Sequence, residues 1–223
     1  MKLRSLILAI FLITQQTGSI ASANCVISNN SIHPIQPAFI DDSLSCSGMN
    51  SLYRSHYLDW KKNGYTGELP PELLSSWKRM FKQCPAEFET LYTDGMKMMQ
   101  YRIENESDAN TREILIDSLM LLYDKQIYNF PNHAVTGLSQ KGALLGQKGI
   151  DLYTYNDKRF VEAFEILHES FHLEQSNSDG MAMIYLFRSL IKMVKYEKRD
   201  SLSIYLTYGD ISFILEKKMA EFS

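Results

Sequence analysis

The stretch LGQKGIDLYTYNDKRFVEAFEILHESF, residues 145–171, decides the fold. Leu145, Gly149, Leu152 and Tyr153 recur at helical spacing, and the polar pair Asn156-Asp157 interrupts them. Phe160, Ala163, Phe164, Leu167 and Phe171 then form a second apolar stripe. Two apolar-faced helices joined by a short turn make a hairpin. Such a hairpin buries its core only against neighbouring hairpins.

The same unit recurs along the chain. Leu52, Tyr53, His56, Tyr57 and Trp60 share one face and break at Asn63-Gly64. After Pro70-Pro71 the period resumes with Leu73, Leu74, Trp77, Met80, Phe81 and Cys84, and stops at Pro85. A second hairpin runs through Phe88, Leu91, Tyr92, Gly95, Met98 and Met99, and turns between Asn105 and Asn110. Asn110 and Glu113 have capping-box spacing, and Leu115, Leu119, Leu122, Tyr123 and Phe130 follow before Pro131. A looser fourth hairpin pairs Tyr185, Leu190 and Val194 with Leu202, Tyr205, Tyr208, Ile211 and Leu215 across a turn near Asp200. No strand alternation competes, so the fold class is all-α.

The remaining signals concern compartment. Lys2 and Arg4, the apolar run Leu6 to Ile13 and Ala21-Ser22-Ala23 read as a signal peptide over residues 1–23. The run is too short to span a bilayer, and no later segment reads as a membrane helix. A lipid anchor at Cys25 needs a small residue before it, and Asn24 is a poor one, which leaves a lipoprotein as the minor option beside a soluble exported protein. Residues 24–47 form an irregular lead-in rich in Ser, Asn and Pro, and residues 48–223 the helical domain. A periplasmic or secreted location is expected.

The net charge of −3 becomes −5 without Lys2 and Arg4, because residues 1–23 hold no acids. A mildly acidic chain without Lys/Arg clusters argues against nucleic acid or anionic lipid as partner. Cys25, Cys46 and Cys84 are an odd number in an oxidising compartment. An antiparallel first hairpin brings Cys46 to Cys84, so those two are expected to bond and Cys25 to be left over.

Leu145, Gly149, Phe160, Ala163, Leu167 and Phe171 resemble a tetratricopeptide repeat with two extra residues at its turn, and Leu91, Gly95 and Pro131 fit the pattern around a longer turn. Cys84-Pro85, Asp117-Ser-Leu-Met-Leu-Leu-Tyr-Asp124 and Lys148-Gly149-Ile-Asp-Leu152 look like stretches of exported tetratricopeptide-like proteins of Bacteroidota. The resemblance covers roughly residues 49–216, and the fourth unit lacks its glycine. It implies a right-handed α-solenoid of about four antiparallel hairpins, a scaffold or adaptor role, no cofactor and no catalytic residue. By the repeat alignment Tyr92, Met96, Met99, Ile150 and Tyr153 fall on the face that lines the groove for a protein or peptide partner. The other reading of these side chains is the packed seam between repeats.

One pentapeptide points elsewhere. His168-Glu169-Ser170-Phe171-His172 matches H-E-x-x-H, the zinc-peptidase helix in which two histidines bind metal and the glutamate activates water. A zinc-dependent metallopeptidase is therefore the alternative function. It needs a third ligand. The position for a third histidine holds Ser178, and Gln175 stands where the glycine of that motif belongs. Glu197 lies at the far end of the next antiparallel helix, an offset of about 18 Å at 1.5 Å per residue. A small-molecule or glycan module has only the tyrosine content in its favour.

Overall fold

The computed structural model describes residues 45–197 and 200–221. The expected signal peptide, most of the expected lead-in and Cys25 lie outside these residues. The described residues are all-α, and the one bridge among them pairs Asn132 with Ser139. Among the described residues there are eight α-helices: α1 (Cys46–Lys62), α2 (Pro71–Gln83), α3 (Thr90–Asn105), α4 (Ala109–Asn129), α5 (Lys141–Tyr155), α6 (Phe160–Glu174), α7 (Gly180–Tyr196) and α8 (Leu202–Glu221).

The helix ends follow local chemistry. Ser45 caps α1 by accepting from the Gly48 amide, so Cys46 opens the helix and does not belong to the lead-in. Gly64 takes the left-handed conformation just after α1, with φ 71°. Pro71 occupies the first turn of α2, where its missing N–H costs nothing. The cap of α4 is Asp108, which accepts from the Thr111 amide at 2.8 Å; the expected box from Asn110 to Glu113 does not form. Asp179 caps α7 through the Met181 and Ala182 amides.

Cys46 and Cys84 form a disulfide, with their Cα atoms 5.8 Å apart. It closes the first hairpin where α1 begins and α2 ends. On α1 the buried residues are Met49, Tyr53, Tyr57 and Trp60. Leu52, expected on this face, is exposed.

The closest packing is between α1 and α2, α3 and α4, α5 and α6, and α6 and α7; α5 also lies against α7. Glycines permit the closest approaches. A Cβ on Gly149 would stand 2.5 Å from Leu167 Cγ, and one on Gly146 2.9 Å from Ser170 Oγ. Gly142 faces Glu174 in the same antiparallel register, and Ser170 Oγ donates to its carbonyl. Gly95 makes a different contact, receiving the Trp77 indole of the preceding hairpin. The two glycines of the apparent repeat thus serve opposite sides of their helices.

One core runs through α1 to α5 and reaches Ala163 of α6, and a second joins Phe164 and Leu167 of α6 to Ala182, Leu186, Leu190 and Met193 of α7. On α8 no described side chain is fully buried, and Tyr205, Phe213 and Met219 are largely exposed.

Candidate partner-binding surface

Three of the five expected groove residues are buried, and of these Met99 borders a pocket of about 310 Å³ between α2, α3 and α4. Tyr92 is fully buried; its hydroxyl donates to the Pro85 carbonyl at 2.8 Å and accepts from Asn129 Nδ2. Phe81 and Phe130 pack edge-on against its ring from α2 and from the end of α4. Met96 and Met99 are buried as well. The reason is enclosure. Buried residues occupy Leu91, Tyr92, Asp94, Gly95, Met96, Met98 and Met99, so α3 is covered around most of its circumference.

Ile150 and Tyr153 are half-buried on α5. Tyr153 meets Tyr185 of α7 edge-on, with ring centroids 5.4 Å apart. Beside this pair opens a cleft of about 400 Å³ lined by Tyr153, Arg188, Ile191, Lys192, Lys195 and Tyr196. Each cation sits over a ring: Arg188 over Tyr185, Lys192 over Tyr153 and Lys195 over Tyr196, at 4.9 to 5.2 Å from the centroids. Lys192 also donates to the Asp157 carboxylate at 2.5 Å and to its carbonyl at 3.0 Å, and the carboxylate raises its pKa. Among the described residues Arg188 and Lys195 make no ion pair within 4 Å. A chain with an acidic overall balance therefore gathers three cations on one helix face. Their spacing of four and three is a helical stripe that reads from sequence as an ordinary solvated face.

The α5 side of the cleft is held by a buried carboxylate. Asp151 accepts from Tyr123 Oη at 2.7 Å, Gln100 Nε2 at 2.9 Å and Gln147 Nε2 at 3.2 Å, tying α5 to α4 and α3. Burial raises its pKa despite those three donors. One seam earlier, Asp94 of α3 pairs with Arg54 and accepts from Tyr53 of α1, and burial again raises the carboxyl pKa. Tyr153 stands two residues beyond Asp151, on a helix these bonds fix in place.

The pentapeptide lies apart from the cleft, on α6. His168 Nε2 and His172 Nε2 are 3.1 Å apart. Glu169 is engaged elsewhere, in an ion pair with Lys141 Nζ at 2.7 Å. The α7 residues buried in the second core are Ala182, Leu186, Leu190 and Met193, none of them a metal ligand. Ser178 is buried before the start of α7, Gln175 follows α6 at φ 47°, and Glu197 caps the far end of α7. Among the described residues no three His, Cys, Asp or Glu side chains converge as a metal site.

No protein-family model, curated protein or solved structure matches this chain.

Proposed function

We propose that this protein is an exported, non-enzymatic scaffold or adaptor of the cell envelope. Its hairpins stack as a tetratricopeptide-like α-solenoid and bind a protein or peptide partner. The cleft between α5 and α7 carries this reading. It combines exposed aromatic and aliphatic surface at Tyr196 and Ile191 with Arg188 and Lys195, whose charges no described acid neutralises. Interfaces favour Tyr and Arg because each adds contact area and directed polar bonds together. The partner segment reads as acidic with an apolar anchor. Nucleic acid is disfavoured by the negative balance of the whole chain.

Export rests on the basic and apolar start of the sequence and on the disulfide, a bond typical of oxidising compartments. No described helix is long and apolar enough to cross a membrane.

Site-specific photo-crosslinking tests the assignment. A crosslinker at Ile191 is expected to trap a protein partner in envelope extracts, and one at Leu121 on α4 is not. Equal trapping at both positions, or none at Ile191, overturns the cleft as the binding site.

A further inference from the structure

The proposed function leaves unused the histidine pair on α6, His168 and His172. We propose that His168 and His172 form a two-nitrogen chelate for a divalent transition metal of the copper class, with its other coordination positions left to solvent. This inference stands on the geometry of α6 alone and is independent of the adaptor reading.

The two imidazoles are one helical turn apart and project to one side. Their Nε2 atoms approach to 3.1 Å, and the rings stand edge-on, 82° between planes and 4.3 Å between centroids. One of the two nitrogens donates to the other, the direction being set by the tautomers, and an ion ligated by both would replace that hydrogen bond. An ion at about 2.0–2.1 Å from each nitrogen sees them roughly 98° apart, near the right angle between neighbouring ligands of a tetragonal centre. Imidazole pairs bind copper(II) more tightly than zinc in the general affinity order of divalent ions, so copper(II) is the expected occupant.

The rings are supported. His168 stacks on Phe164 at 5.3 Å with 25° between planes, and the Phe171 ring lies 6.1 Å from His172. His172 falls in the last turn of α6, where the helix dipole favours a bound cation. Among the described residues no third His, Cys, Asp or Glu converges on the pair, so water completes the shell and the ion is exchangeable. The chelate binds metal without the arrangement that peptide hydrolysis needs.

The test uses the full chain in a Cys25→Ser background, stripped with chelator and titrated with copper(II) or zinc by calorimetry, with electron paramagnetic resonance on the copper form. One copper per chain at micromolar concentration is expected, zinc about tenfold weaker, and hyperfine structure from two nitrogens. His168→Gln and His172→Gln should each weaken copper binding at least about tenfold, while His133→Gln, far along the chain, leaves it unchanged. Circular dichroism checks that each variant stays folded. Copper binding unaffected by the α6 variants, a one-nitrogen signal, or zinc binding tighter than copper overturns the proposal.

Discussion

Asp151 accepts a 2.7 Å hydrogen bond from the hydroxyl of Tyr123, and both are buried where α4 meets α5. Burial raises the Asp151 pKa above its ordinary 3.8, so the folded state holds that proton more tightly than the unfolded chain does. The stabilising contribution is complete below the ordinary carboxylate pKa and is lost as pH rises through the raised folded value. Asp151→Asn keeps an acceptor for Tyr123 and carries no charge. Its stability relative to wild type should therefore increase with pH across that window in urea titrations. Asp151→Leu strands the Tyr123 hydroxyl and the Gln100 amide, and should cost about 2–4 kcal/mol. A pH-independent difference for the Asn variant would show that the three donors balance burial, and one that falls with pH that they outweigh it.

The glycine contacts predict a graded series. An alanine at 149 drives its Cβ into the branch point of buried Leu167, and one at 95 into the Trp77 indole, which its Nε1 bond to the Leu91 carbonyl holds in place. Each should cost about 1–3 kcal/mol by overpacking. An alanine at 142 meets chiefly the flexible end of Glu174, which can move, and helix propensity repays up to about 1 kcal/mol. Thermal melts should therefore rank Gly142→Ala well above the other two. Equal losses at all three would mean that Glu174 is fixed.

Much of this fold is legible in the sequence because period and punctuation agree. Asn63-Gly64, Pro70-Pro71, Pro85 and Asn156-Asp157 fall at the observed helix ends, and the cysteine pairing follows once the first hairpin is antiparallel. What periodicity does not carry is enclosure. Tyr92, Met96 and Met99 fit a stripe on either side of α3, and only the positions of α2 and α4 decide that they are inside. The partner of Asp94 is Arg54, 40 residues upstream. The capping-box spacing of Asn110 and Glu113 points to the wrong cap, since Asp108, two residues earlier, caps α4. Glu106 accepts from the Asp108 amide at 2.8 Å just before that cap. Tyr153 borders the cleft, but its neighbours there come from α7, whose cations no motif distinguishes.

The disulfide should contribute about 3–4 kcal/mol for a crosslink spanning 38 residues, chiefly by restricting the unfolded chain. Cys46→Ser with Cys84→Ser should lower the urea midpoint with a changed denaturant slope, since the unfolded state expands. Peptide mapping without reductant should recover residues 46 and 84 in one linked pair. A Cys25–Cys46 link would contradict the observed pairing.

Tyr92 and Tyr153 should separate stability from binding. Tyr92→Ala removes a fully buried ring and should cost about 3–5 kcal/mol, and Tyr92→Phe about 1 kcal/mol for the bond to Pro85. Tyr153→Ala removes a half-buried ring that Lys192 and Tyr185 touch from one side, and should cost less than half as much. Partner crosslinking at Ile191 should fall with Tyr153→Ala and persist with Tyr92→Phe. The reverse order of stability losses would return Tyr92 to the surface.

The H-E-x-x-H pentapeptide should not hydrolyse peptides. Hydrolysis at a zinc helix requires a third protein ligand, an open position for water and a glutamate aimed at that water. Glu169 instead faces Lys141 across a solvated pair, with about half of each side chain exposed. Breaking such a pair shifts stability by only about 0.5 kcal/mol, so Glu169→Gln is a clean probe. The α7 stripe in the second core offers no imidazole or carboxylate, and Glu197 belongs to the opposite end of that helix. Incubation with unfolded protein substrates, with and without zinc, should therefore give no chelator-sensitive cleavage, and Glu169→Gln should change nothing. Zinc-dependent cleavage lost in that variant at unchanged melting temperature would replace the scaffold reading with a peptidase.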